Sequence, residues 1–336
     1  MPALREHPED LAALIAAAAE QLNLDQIFLE KDFWAMEVLR ATTFPVSMDG
    51  PTGTGAVNVI FKGGTSLSRV YGLIERFSED IDLLVVFPEV GAGANTKDKA
   101  FKQIRDNVTD HLGIGEDATE QQNSTRGVKR NVRYHYPTHA AVPGGSEPAI
   151  TEGVLLEMGT RGGEAPAHRR EIRSLIADFA TVEFGDSQDT WEEFAPFAVD
   201  VLAAERTLFE KLSALHDGAV RAPDEKALDA LQRNARHLYD VHCLLSDSAV
   251  LDALEDLGSV GVATLCADID EHSERAEFSY TPRPETGYGL SPLLDPVMAG
   301  REALTAGYGR AMQLVYGVQP TLQQCLETIR AHAHLL

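Results

Sequence analysis

The sequence predicts an α+β or α/β unit, a small mixed sheet with flanking helices, followed by a mostly α-helical unit. Three observations carry this. Short β-branched and aromatic runs at 57–61, 80–87 and 153–159 all fall in the first half. Beyond residue 190 apolar residues recur at helical spacing almost without interruption. A polar, acidic stretch at 184–190 separates the two regimes, so domains are expected at 1–190 and 191–336.

Taken in order, 8–23 and 25–42 read as amphipathic helices, the second with Ile27, Phe28, Phe33, Trp34, Val38 and Leu39 on its apolar stripe. Glu30-Lys31-Asp32 reads as its solvated face. The Pro- and Gly-containing stretch 44–55 reads as loop. After the strand at 57–61, Gly63-Gly64 allows a tight turn, and Thr65 or Ser66 is placed to cap the next helix. Leu67, Val70, Tyr71 and Ile74 form that helix's buried face. Its N-terminal N–H groups then face the glycine turn, a ready phosphate site. The strand at 80–87 follows, then a helix ending at Leu112.

The stretch 126–136 is the one strongly basic patch: Arg126, Lys129, Arg130 and Arg133 interleaved with Tyr134 and Tyr136. It suits an RNA strand or an exposed edge strand equally well. A turn is expected at 143–148, and 153–159 reads as a buried strand carrying Glu157. An acid so placed needs a partner. His168, Arg169, Arg170 and Arg173 read as a solvated helix start. Further on, 196–217 reads as one long helix, 231–245 as another, and 246–270 as two short ones. A long Pro/Gly/Tyr loop at 274–296 precedes closing helices at 297–316 and 321–336.

The bulk numbers narrow the class. Hydrophobic content is 44% and charged content 24%, which fits a globular chain. No apolar run reaches the roughly 20 residues of a membrane span, so no membrane partner is expected. The three cysteines, Cys243, Cys266 and Cys325, show no metal-ligand spacing, and a cytoplasmic location is expected. A net charge of −23 argues against a general nucleic-acid-coating protein but leaves room for a local basic groove.

Asp80 and Asp82 alternate onto one face of their strand, about 7 Å apart. Two such carboxylates repel unless a cation lies between them, and Mg²⁺ suits an all-oxygen site that also admits phosphate. The whole stretch FKGGTSLSRVYGLIERFSEDIDL resembles the signature of the DNA polymerase β-like nucleotidyltransferase superfamily, and in detail that of its AbiEii/AbiGii toxin family. The 15 residues between Gly64 and Asp80 are at the long end for the superfamily and fit the toxin family better. The resemblance extends over most of the chain: Glu30-Lys31-Asp32, Glu210-Lys211-Leu212 and Arg236-His237-Leu238-Tyr239-Asp240 are similar to further segments of that family.

The resemblance implies a polymerase β-like core with a helical C-terminal domain, and an NTP-dependent nucleotidyltransferase toxin of a toxin–antitoxin or phage-defence system. It implies that Gly63, Gly64, Thr65, Ser66 and Arg69 bind the nucleotide, and that Asp80, Asp82 and Glu157 bind two Mg²⁺ ions. Glu157 is the candidate for the family's third acid, as ligand or general base. Lys211 would meet phosphate and Asp240 would orient Lys211 or contact the nucleotide. From the residues alone, Lys211 snorkels or meets an anion, and Asp240 pairs with Arg236 four residues earlier. The implied acceptor is RNA, with a tRNA 3′ end foremost, and the implied partner a cognate antitoxin. Transfer to a protein or a small molecule such as an aminoglycoside, and a non-catalytic GTP- or antitoxin-binding module, stay open.

Overall fold

Alternating apolar residues in the first part of the chain build a mixed sheet, and helical stripes in the second build a bundle. The computed structural model describes residues 1–78, 80–139, 152–275 and 280–336. The turn expected at 143–148 and part of the 274–296 loop lie outside them. The strands are β1 (Val46–Gly50), β2 (Gly53–Lys62), β3 (Asp80–Val86), β4 (Thr119–Thr125), β5 (Lys129–Tyr134), β6 (Val154–Gly159), β7 (Ala167–Ile172) and β8 (Phe197–Leu202). The helices are α1 (Pro8–Leu22), α2 (Gln26–Thr42), α3 (Gly63–Arg69), α4 (Ala94–Leu112), α5 (Leu175–Asp178), α6 (Ala204–Val220), α7 (Glu225–Asn234), α8 (His237–Leu244), α9 (Ser248–Arg275), α10 (Arg301–Ala311) and α11 (Leu322–Ala331).

The chain forms two compact units. The first comprises Met1–Thr65, Glu79–Thr160 and Ala167–Val201, and the second Ser66–Ser78, Arg161–Pro166 and Leu202–Leu336. In the first unit the strand order is β4-β5-β6-β3-β2-β8-β7, with β1 pairing β2. β3 runs parallel to β6, β2 parallel to β8, and the β2–β3, β4–β5 and β5–β6 pairs are antiparallel. One face carries Phe61, Ile81, Leu83, Val85, Val132, Tyr134, Leu156 and Met158, all buried. Helices α2 and α4 lie against it, and Tyr134 donates its hydroxyl to the Arg105 carbonyl of α4 at 3.3 Å. The second unit is an α-helical core built on Leu208, Leu212, Leu215, Leu238, Val241, Leu304 and Ile329, joined by Leu67 and Ile74 from the early segment. Among the described residues, no helix is long and apolar enough to cross a membrane.

Several local expectations are corrected. The stretch 44–55 is not loop: Val46 and Met48 alternate inward, and a hairpin turn joins β1 to β2. The helix expected over 196–217 begins as strand β8, because Phe197, Val199 and Val201 alternate inward before α6 takes over. The basic cluster 168–173 lies largely on strand β7. Helix α3 stops at Arg69 instead of running to Ile74, and Gly72, with φ +64°, turns the chain. The helix expected at 231–245 is broken between α7 and α8. By contrast, the two helices expected at 246–270 are found: they make up α9, on either side of Gly258, whose backbone is non-helical at φ +60°. Glu30, Lys31 and Asp32 are buried, not solvated. Glu30 accepts from the His139 amide and Asp32 from the Leu175 amide, each at 2.6 Å, so the two acids satisfy backbone donors.

Candidate functional site

The strand register assembles the acids. Across four strands the residues Lys62, Asp82, Glu157 and Asn131 stand directly opposite one another in turn. Asp80 stands opposite Leu155, two residues from Asp82 and on the same face. This is the face turned away from α2 and α4. Like charges directly opposite on a sheet destabilise it. The effect is visible at Glu157, whose carboxyl is pushed up to about 7, first by burial, then by Asp82 and Asp80.

The glycine turn meets the same acids. Gly63 has φ +81°, in the left-handed region. A Cβ there would run into the Asp82 carboxylate, so a glycine is needed both for the turn and for the close approach. Thr65 is not a helix cap, because α3 already begins at Gly63; its hydroxyl donates to the Asp80 carbonyl at 2.6 Å. The elbow is thereby tied to the first residue of β3. Ser66 and Arg69 complete α3 within the second unit.

The donor chemistry of Asp80, Asp82 and Glu157 fits a hard divalent cation: oxygen only and crowded with negative charge, with burial and then Asp82 and Asp80 pushing the Glu157 carboxyl up. Among the described residues, no three His, Cys, Asp or Glu side chains converge as a closed ligand shell. Fit therefore rests on the donor set and its electrostatics.

The basic patch divides. β5 is interior, between β4 and β6, so it is not an edge strand. Strand alternation puts Lys129, Asn131 and Arg133 on the acid face. Arg130 points to the opposite face, buried, paired with Asp98 at 3.0 Å and bonded to Gln121. Lys129 is exposed; Arg133 donates to the Glu152 carbonyl at 2.9 Å and Arg126 to Asn95 at 3.3 Å.

In the second unit Asp240, fully buried, is held by three cations or potential cations. Arg76 binds it with both prongs, Nε at 2.6 Å and Nη2 at 2.8 Å. Lys211 Nζ lies 2.8 Å away and His237 Nδ1 3.7 Å. Burial by itself would raise the Asp240 carboxyl, but Arg76 and then Lys211 hold it well below the usual carboxylate range. Burial lowers the Lys211 ammonium against the pull of Asp240. Burial and then Lys211 push His237 down to about 3, so its ring is neutral at pH 7. The segment carrying Arg76 is pinned: Tyr239 accepts from the Glu75 amide at 3.1 Å, and the Phe77 amide donates to the Leu314 carbonyl at 2.9 Å. The pairing expected between Arg236 and Asp240 is replaced by these contacts.

Sequence reasoning missed Arg76, Asn131 and His237. Asn131 had a signal, since alternation along 129–134 separates Lys129, Asn131 and Arg133 from Arg130, Val132 and Tyr134. Arg76 had none, because its partner lies 164 residues away.

A mixed sheet whose glycine elbow abuts the acid-bearing strand, joined to a helical unit, defines a polymerase β-like nucleotidyltransferase core with a helical C-terminal region. The family described as nucleotidyl transferase AbiEii toxin, Type IV TA system, matches residues 48–313, and the chain belongs to it. No curated protein matches the chain.

Proposed function

We propose that this chain transfers a nucleotide from an NTP to the 3′ end of an RNA, a tRNA foremost, with release of pyrophosphate. A cognate antitoxin restrains it, and the pair serves in phage defence. The observation that carries the chemistry is the direct opposition of Asp82 and Glu157, with Asp80 beside them.

Asp80, Asp82 and Glu157 would hold Mg²⁺, in line with the two ions expected. When bound, the metal would polarise phosphoryl oxygens and offset charge developing on them. Glu157, directly opposite Asp82, is also the candidate to accept a proton from the attacking hydroxyl. The elbow Gly63-Gly64-Thr65 offers backbone N–H groups to phosphate; Ser66, Arg69 and Lys211 keep the roles the resemblance implies, and Asp240, fully buried beside Lys211, orients it. Lys129, Arg126 and Arg133 are the proposed contacts to the RNA backbone; Arg130, buried against Asp98, is left out.

The test is an incubation of the full chain with α-labelled NTPs, Mg²⁺ and separate RNA, protein and aminoglycoside acceptors. Label on RNA, absent with Asp82→Asn, is expected. Label on no acceptor, or labelling that survives both Asp80→Ala and Asp82→Ala, overturns the reading.

A further inference from the structure

We infer that Asn131 is a positioning residue: its side-chain amide holds one oxygen of Glu157 and leaves the other turned toward Asp82. The inference rests on the cation-binding role proposed for Glu157. Asn131 stands directly across from Glu157 on β5, while Asp82 stands directly across from it on β3. Glu157 is thus the central member of a three-strand row. The Asn131 Nδ2 donates to Glu157 Oε1. A glutamate has three side-chain torsions, and repulsion from Asp80 and Asp82 would swing an unanchored one away.

The residue type is informative. Arginine or lysine at this position would neutralise the charge a cation needs, and a carboxylate would add repulsion. An amide donates without either effect.

A second observation shows that Asn131 is itself fixed. The β4–β5 ladder is irregular at this point: Gln121 pairs with Val132 and Ser124 with Arg130, so the extra residues of β4 fall opposite Asn131. Bulges of this kind re-aim side chains beside functional sites. The Gln121 side chain takes up the resulting gap, donating through Nε2 to the Asn131 carbonyl at 2.7 Å. Asn131 is buried, so its amide has little freedom to turn to water.

The experiment compares the full chain with Asn131→Ala, Asn131→Leu, Glu157→Gln and the double variant Asn131→Ala/Glu157→Gln. Mn²⁺ affinity is measured by electron paramagnetic resonance without nucleotide, and transfer kinetics separately. Partners that orient a ligand typically matter 10–100-fold, so Asn131→Ala is expected to weaken Mn²⁺ binding by about that factor. Asn131→Leu, nearly isosteric, uncharged and without a donor, should weaken it as well, which guards against an effect of lost packing. Transfer should fall in kcat with little change in KM for the NTP. In the Glu157→Gln background, Asn131→Ala should add almost nothing, because it acts through Glu157. Unchanged Mn²⁺ affinity in both Asn131 variants, or full additivity in the double variant, overturns the inference. Failure of the unaltered chain to bind Mn²⁺ is a separate result, which refutes the cation-site reading and this inference with it.

Discussion

Replacing Asp240 by Asn keeps the shape of the side chain and removes its charge. In the parent, Arg76 and Lys211 lie within 2.6–2.8 Å of this one carboxylate, and all three side chains are buried. The variant therefore leaves two cations facing a neutral amide in a site closed to water. Removing one partner of a buried pair costs about 3–5 kcal/mol. Lys211 can relieve part of this by losing its proton, a change burial already favours, so the lower half of that range is expected. At about 2–4 °C per kcal/mol for units of this size, the melting temperature should fall by about 10 °C. Scanning calorimetry of the full chain measures it. The triple variant Arg76→Met/Lys211→Met/Asp240→Leu should recover much of the loss, because no uncompensated charge remains. A variant Asp240→Asn that melts within about 2 °C of the parent would refute the view of this cluster as a stabilising ionic core.

Gly63→Ala should lower transfer by at least about 100-fold, because the new methyl displaces the Asp82 carboxylate, and a misplacement of about 1 Å at a reacting centre has that effect; single-turnover kinetics measures it. Glu157 binds its proton more tightly folded than unfolded, its value lying near 7 against an ordinary 4.5. Metal-free stability should therefore fall as pH rises from about 4.5 through 7, by about 1–2 kcal/mol after allowing for its partial exposure, and Glu157→Gln should abolish that slope in urea titrations. Asp240 has the opposite sign: its depressed value contributes stability at neutral pH that is lost as acid protonates it. Lys129→Ala should weaken RNA binding and reduce its salt slope by about 1, while Arg130→Ala should lower stability and leave the slope unchanged; filter binding at several salt concentrations, with a melt of each variant, separates the two.

The legible part of this protein was local. Asp80 and Asp82 share a face because strands alternate, and Gly63-Gly64 marks a turn because glycine takes positive φ without steric cost. The placement of Glu157 beside Asp82 needed more, since β6 reaches β3 from more than 70 positions away in the chain. Period-2 and period-3.6 patterns also overlap at 196–202, where Val201 fits both, so a helix is expected where the strand β8 forms. The charged run Glu30-Lys31-Asp32 misled for a different reason. Polarity was taken to mean water, whereas these acids bind backbone N–H groups of distant segments. Arg76 was invisible altogether, as nothing near it in sequence discloses Asp240.

The second unit begins with a short stretch at Ser66–Ser78 and is finished only by residues from Leu202 onward. During synthesis, Arg76 leaves the ribosome 164 residues ahead of the aspartate it grips. At about 5–20 residues per second that is a wait of about 8–33 s. A prematurely terminated product lacking α8 would retain every acid of the sheet yet strand that guanidinium, and a gene fragment starting after residue 190 would have the aspartate without its clasp. Each half of the gene thus encodes only part of the helical unit.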